Sequence, residues 1–129
     1  MSDHWKPIDY PELSPYLMVH GAQKVIDFLV KVFDGTQLRR FDLPNGKIAH
    51  VEVRIGSSVV MMADGGPGFP ASPAWLHLYV QDVDVSYRRA LDAGASSVQA
   101  PQHKPDDPDR RGAILDPSGN TWWISSQVI

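Results

Sequence analysis

The sequence predicts an α+β fold built from two βαβββ modules. Three observations carry this. A strand–helix unit occurs twice: Tyr16-Leu17-Met18-Val19 leads into an amphipathic stretch that stops at Gly35, and His77-Leu78-Tyr79-Val80 leads into another that stops at Gly94. The apolar pair Leu17 and Val19 recurs as Leu78 and Val80, in both cases 61 positions later. After each helix come short runs of period-two alternation separated by turn residues, as in a meander.

Residues 1–13 hold Pro7 and Pro11 and show no periodicity, so they read as an arm with Trp5 and Tyr10 as its candidate anchors. A first strand is expected over Ser14 to Val19. The following helix, Ala22 to Phe33, puts Val25, Ile26, Leu29, Val32 and Phe33 on one stripe. Gly35 is its expected left-handed stop. Thr36 to Asp42 forms a second strand, and Pro44-Asn45-Gly46 a turn with the positive-φ signal of Asn-Gly. Lys47 to Ile55 is a third strand, with Val51, Val53 and Ile55 on one face and His50, Glu52 and Arg54 on the other. Ser58 to Ala63 is a fourth. Asp64 to Pro73 contains three glycines and three prolines, which excludes helix and central strand.

The second module repeats the order: strand Trp75 to Val80, helix Val83 to Ala93, strand Ser96 to Ala100, a proline-rich loop Pro101 to Pro108, strand Arg111 to Leu115, the turn Asp116-Pro117-Ser118-Gly119-Asn120, and strand Thr121 to Ser126. The organisation is therefore an arm at 1–13 and a single domain at 14–129, with module one at 14–64, a linker at 65–73 and module two at 74–127.

Composition narrows the function. The chain has 129 residues and a net charge of −3 with no basic stripe, which argues against a nucleic-acid partner. There is no cysteine, so disulfides, thiolate catalysis and cysteine-held metals are excluded. No stretch reaches the ~18 apolar residues of a membrane span, and residues 1–13 lack the apolar core of a signal peptide. A cytoplasmic location is the expectation. Gly65-Gly66-Pro67-Gly68 lacks the Lys-Ser/Thr of a phosphate loop, and Ser125 and Ser126 lack the GxSxG setting of a hydrolase nucleophile.

Several pieces, in order, resemble one family: Pro15-Tyr16-Leu17-Met18-Val19, Ile26-Asp27-Phe28, His50-Val51-Glu52-Val53-Arg54-Ile55-Gly56, Leu76-His77-Leu78-Tyr79-Val80-Gln81-Asp82-Val83-Asp84, then Asp109-Arg110, Asp116-Pro117-Ser118-Gly119 and Trp122. The chain resembles the vicinal oxygen chelate superfamily, which includes glyoxalase I, the bleomycin and fosfomycin resistance proteins and the extradiol dioxygenases. Within it, the PhnB-like (glyoxalase-like) branch is the nearest in pattern. The resemblance implies a half-closed, cup-shaped mixed sheet with helices on its outer face, a homodimer, and a divalent metal held by His, Gln or Glu at four cavity-facing positions.

Strand parity then sorts the residues. Leu17, Val19, Val51, Val53, Leu76, Leu78, Val80, Trp122 and Ile124 belong under the helices. Ser14, Tyr16, Met18, His50, Glu52, Arg54, Met61, Trp75, His77, Tyr79, Thr121, Trp123 and Ser125 belong on the cavity face. Alignment with the family places its four metal positions at Ser14, Met61, Trp75 and Trp123, none of which is a normal ligand for a hard or borderline divalent ion.

The expectation is a protein that binds a small molecule in an aromatic-lined cavity, without the usual metal. Tyr16, Met18, Met61, Trp75, Tyr79 and Trp123 would form the apolar wall, and His50, Glu52, Arg54 and His77 the polar points. Two alternatives stand beside it. One is a lyase, isomerase or dioxygenase with a divalent metal on His50, Glu52 and His77. The other is an antibiotic-sequestering resistance protein. His50 and Glu52 are the candidate catalytic residues, with burial expected to raise the pKa of Glu52; the simpler alternative is that they pair with each other or with Arg54.

Overall fold

Two separate four-stranded mixed sheets carry the chain, in the computed structural model that describes residues 4–129. The first three residues of the expected arm lie outside the described residues. Module one comprises β1 (Tyr16–Val19), α1 (Ala22–Phe33), β2 (Thr36–Asp42), β3 (Ile48–Ile55) and β4 (Ser58–Asp64). Module two comprises β5 (Trp75–Tyr79), α2 (Val83–Asp92), β6 (Ser96–His103), β7 (Asp109–Leu115) and β8 (Thr121–Gln127). The sheet orders are β1-β4-β3-β2 and β5-β8-β7-β6, so each first strand lies parallel to the last strand of its own module. The fold is the expected α+β pair of βαβββ units.

The helices bury what their periodicity announces. Val25, Ile26, Leu29, Val32 and Phe33 are all buried on α1, with Ala22 and Phe28 added at the stripe's edges. The helix α2 is shallower, burying only Val83 and Ala90, and starts on Asp82, whose side chain accepts from the backbone N–H of Asp84 and Val85. Leu17, Val19, Val51, Val53, Trp122 and Ile124 are buried beneath the helices, with Leu76, Leu78 and Val80 half-buried beside them. The helix α1 packs on α2, and the Phe33 ring meets Trp122 at 5.5 Å. The helix-bearing faces of both sheets thus share one continuous core.

Three local expectations change. The residue in left-handed conformation after α1 is Asp34 (φ 56°), not Gly35. Gly35 is needed for space instead: a Cβ there would lie 2.8 Å from Val53 Cγ1. The expected loop from Pro101 is shorter than its prolines suggest, because β6 runs on to His103. As the edge of its sheet, with its pairing shifted between Gln99 and Gln102, β6 can hold Pro101 where no ladder bond is needed. Finally, the fourth strand runs one residue past the expected Ala63, to Asp64. The Asp64 carboxylate accepts from the backbone N–H of Ala22 (2.8 Å) and of Ile48 (2.7 Å), tying the start of α1 to β3.

The β7–β8 turn is held by a buried carboxylate. Asp116 accepts from the backbone N–H of Ser118 (2.8 Å) and Asn120 (3.1 Å), the Asn120 amide (2.9 Å) and Trp122 Nε1 (2.9 Å). Asn120 passes the order on by accepting from the Ala74 N–H at the entry to β5. Removing the carboxylate strands buried donors, at about 1–3 kcal/mol each where no water can replace it. Asp116→Ala should therefore destabilise the chain by about 3 kcal/mol, a fall in Tm of roughly 10 °C. A thermal melt showing a loss under about 3 °C would mean that the carboxylate does not hold this turn.

Candidate functional site

The face of each sheet away from the helices is the candidate site, and the two faces differ in chemistry. On module one, β1 and β4 set Tyr16 beside Met61 in parallel register, and β3 sets Glu52 opposite Met61. Strand β2 brings Phe41 opposite His50. Glu52 is the buried charge of this face, 2% exposed. Its Oε1 accepts from the Tyr10 hydroxyl at 2.5 Å and its Oε2 pairs with His50 Nε2 at 2.8 Å. On the far side of the imidazole, Nδ1 lies 2.9 Å from the Tyr16 hydroxyl. A neutral His50 therefore carries its proton on Nε2, and its Nδ1 accepts from Tyr16. The result is a carboxylate–imidazole–phenol chain that ends on half-exposed Tyr16.

This geometry reverses one expectation. Burial pushes the Glu52 carboxyl up, but the hydrogen bonds from His50 and Tyr10, reinforced by the charges of His50 and Arg39, outweigh it and hold the group below the ordinary glutamate range. Glu52 is a fixed anion and not a base poised near neutrality. Burial and the neighbouring Glu52 raise the Tyr10 and Tyr16 phenols, so both remain donors at neutral pH. Arg54 does not reach Glu52. It donates to the Asp9 carbonyl (2.8 Å) and lies over the Tyr10 ring.

On module two the face is aromatic. Trp75 and Trp123 lie with ring centroids 6.2 Å apart, and Trp75 is 75% exposed. His77 meets Tyr79 edge-on at 4.7 Å and pairs through Nε2 with buried Ser125 (3.0 Å). Tyr79, itself 61% exposed, donates to Asp109 at 2.6 Å, the bond that most raises its phenol. Arg111 lies 3.7 Å from Asp109 and bonds Asp107. Trp123 Nε1 is buried without a hydrogen-bond partner among the described residues. A groove of about 760 Å³ opens along the free edge of β5, bounded by Phe33, Ile55 and the stretch His77 to Val80.

The sequence-predicted residues thus separate into two groups. His50, Glu52, Arg54, Tyr16, Met18 and Met61 share the first face; Trp75, His77, Tyr79, Trp123, Thr121 and Ser125 share the second. No hydrogen bond or ring contact between the described residues joins the two faces; those that cross between modules, such as Phe33 with Trp122 and the His20 N–H with Ser118, lie elsewhere. The proposed metal trio of His50, Glu52 and His77 is not assembled, since His77 belongs to the other sheet. No group of three or more His, Asp or Glu among the described residues is placed to hold a metal. The four positions expected to hold the superfamily's metal do not suit a divalent ion either: Ser14 has a neutral hydroxyl, Met61 a thioether, and Trp75 and Trp123 offer indoles whose nitrogen is a donor only.

Sequence reasoning missed Phe41, Arg39, Asp107 and Asp109, and gave Tyr10 only an anchoring role. Phe41 was within reach, because counting back across the Asn45-Gly46 turn sets it near His50. The rest depend on a bulge in β2, on where β7 begins, and on the path of the arm.

A model of the Glyoxalase/Bleomycin resistance protein/Dioxygenase superfamily matches residues 8–124. The chain belongs to this superfamily. An uncharacterized protein of Mycobacterium bovis is 38% identical over 129 residues, covering 92% of this chain and 84% of that protein. Among solved structures, TioX from Micromonospora sp. ML1 superposes with a TM-score of 0.75 at 27% identity, covering 92% of this chain and 99% of TioX. TnmS3 from Streptomyces sp. CB03234, described as an antibiotic binding protein, superposes with a TM-score of 0.68 at 22% identity and covers the same shares. The superfamily's frame is therefore present.

Because Glu52 is held below its ordinary pKa, its contribution to stability is complete above the unfolded-chain value and is lost as pH falls through the folded value. Glu52→Gln should melt below wild type near pH 7, with the gap closing in the acid range as the wild-type carboxylate protonates. Thermal melts across that range check this; a gap that is constant with pH would show that the charge contributes nothing.

Proposed function

We propose that this protein binds a flat, mainly apolar small molecule against the aromatic face of module two, without a metal. The observation that carries this is the Trp75–Trp123 pair, with one ring three-quarters exposed and the other holding an unanswered indole N–H. A large exposed ring held over a second ring offers a stacking platform. His77 and the Tyr79–Asp109 pair supply polar points at its edge. The antibiotic-binding description of TnmS3 makes planar antibiotics the first compounds to try.

Titration of tryptophan fluorescence with such compounds should show saturable quenching that is unchanged by excess chelator. Trp75→Ala should weaken binding by about three- to tenfold, given the ~0.5–1.5 kcal/mol of a stacked ring. Binding that vanishes with chelator, or is equally tight in Trp75→Ala, would sink this reading.

We also propose that two chains associate so that the module-one face of each closes over the module-two face of the other. What supports this is the apolar surface that each face leaves open, with Phe41 at 60%, Trp75 at 75% and Tyr79 at 61% exposure, and the separation of the two faces onto different sheets. Sedimentation should give twice the 14.3 kDa chain mass. A species that stays at the single-chain mass across micromolar concentrations would contradict it.

A further inference from the structure

Residues 9 and 10 of the arm sit on the module-one face in the manner of a bound molecule. The Tyr10 hydroxyl donates to Glu52, the carboxylate at the centre of that face. The guanidiniums of Arg39 and Arg54 lie over its ring, 5.5 and 5.6 Å from the centroid. Arg54 also holds the Asp9 carbonyl at 2.8 Å, and Asp9 takes a left-handed backbone (φ 62°) to present it. The arm on either side does not bury its large apolar residues: Ile8 is 88% and Leu13 87% exposed. Tyr10 is thus the arm's seated side chain, and the seat is a hydrogen-bond acceptor at the end of a slot roofed by two planar cations.

We propose that this seat is a binding site for a small planar phenol, and that Tyr10 is the chain's own occupant of it, displaced when ligand enters. The chemistry is that of the seat: an anionic carboxylate takes a phenol O–H, and guanidinium faces stack on an electron-rich ring. An aliphatic alcohol would lack the ring, and an arene without a hydroxyl would leave Glu52 Oε1 unanswered. Because Tyr10 competes from within the chain, the apparent affinity for a free phenol is reduced by the fraction of molecules in which the seat is closed. The proposal rests on the reading of the chain as a small-molecule binder but uses other residues.

The test is calorimetric titration of 2-naphthol, and of 2-methoxynaphthalene as the hydroxyl-free control, into wild type, Tyr10→Ala and Tyr10→Ala/Arg39→Ala. Tyr10 and Arg39 lie outside the apolar core, and a thermal melt of each variant, showing a cooperative transition, checks that it is folded before titration. Tyr10→Ala should bind 2-naphthol at least about tenfold more tightly than wild type. The methoxy compound should show no such gain, and adding Arg39→Ala should remove most of it. Equal affinity in wild type and Tyr10→Ala, or the same gain for the methoxy compound, would overturn the proposal. Quenching at Trp75 without a gain in Tyr10→Ala would overturn this proposal and leave the earlier reading standing; a gain in Tyr10→Ala without quenching at Trp75 would do the reverse.

Discussion

The module-one face depends on a single buried charge. A carboxylate as shielded as Glu52 is costly unless every lone pair facing the protein is answered. The chain answers it from two directions: His50 from the same strand, one pleat away, and Tyr10 from the arm. Each answer imposes an order of its own. His50 must turn Nε2 toward Glu52, which directs Nδ1 to Tyr16 and so fixes the ring at the edge of β1. Tyr10 must cross from the arm, which brings Asp9 to Arg54 and the Tyr10 ring under Arg39. Without the charge, His50 Nε2 and the Tyr10 hydroxyl would lose the acceptor that both now share.

Both modules share one topology, but their two open faces differ. The helix sides remain alike, with Leu17 and Val19 matched by Leu78 and Val80, because both pack into a shared core that tolerates little change in volume. The opposite sides carry no such constraint. Module one invests its face in a charge and its hydrogen bonds; module two leaves its face to rings, with Trp75 and Tyr79 largely in water. Leaving a ring of that size exposed forfeits apolar burial worth about 25 cal/mol per Å². Stability alone gives no reason to keep it there, whereas a stacking partner does.

Much of the fold was legible because period-two and 3.6-residue patterns report directly which side of each element is buried. Every residue assigned to the helix side by parity is buried or packed on the core. The errors fall where a second physical term competes with pattern. Pro101 reads as a loop until its place on an edge strand removes the need for its missing N–H. Gly35 reads as a left-handed stop until Val53 is seen to need the space. The candidate site was half legible. Parity delivered His50, Glu52, Trp75 and Trp123 to open faces, but it could not say that His77 lies on a different face from His50. Nor could it set the direction of the Glu52 shift, since burial and hydrogen bonding oppose each other there and only the geometry decides. The arm escaped altogether, because a segment without periodicity carries no sign of where it docks.

Met61, Trp75 and Trp123, expected at the superfamily's metal positions, offer a kind of binding chemistry different from that of a metal ligand. A divalent metal binds through a few short, directional bonds, and losing one donor costs most of the affinity. An indole or a thioether works by area: many weak contacts that adapt to the shape opposite. On the proposed reading, Trp75, Trp123 and Met61 therefore set a broad requirement, met by a flat molecule of suitable width. What selectivity remains must come from the few groups whose hydrogen bonding is fixed. On module two these are Trp123 Nε1 and the Tyr79–Asp109 pair; on module one they are Glu52 and the two guanidiniums beside it. Closing one face over the other would place a stacking wall opposite a polar wall, so that a ligand is held by its ring and oriented by its hydroxyl.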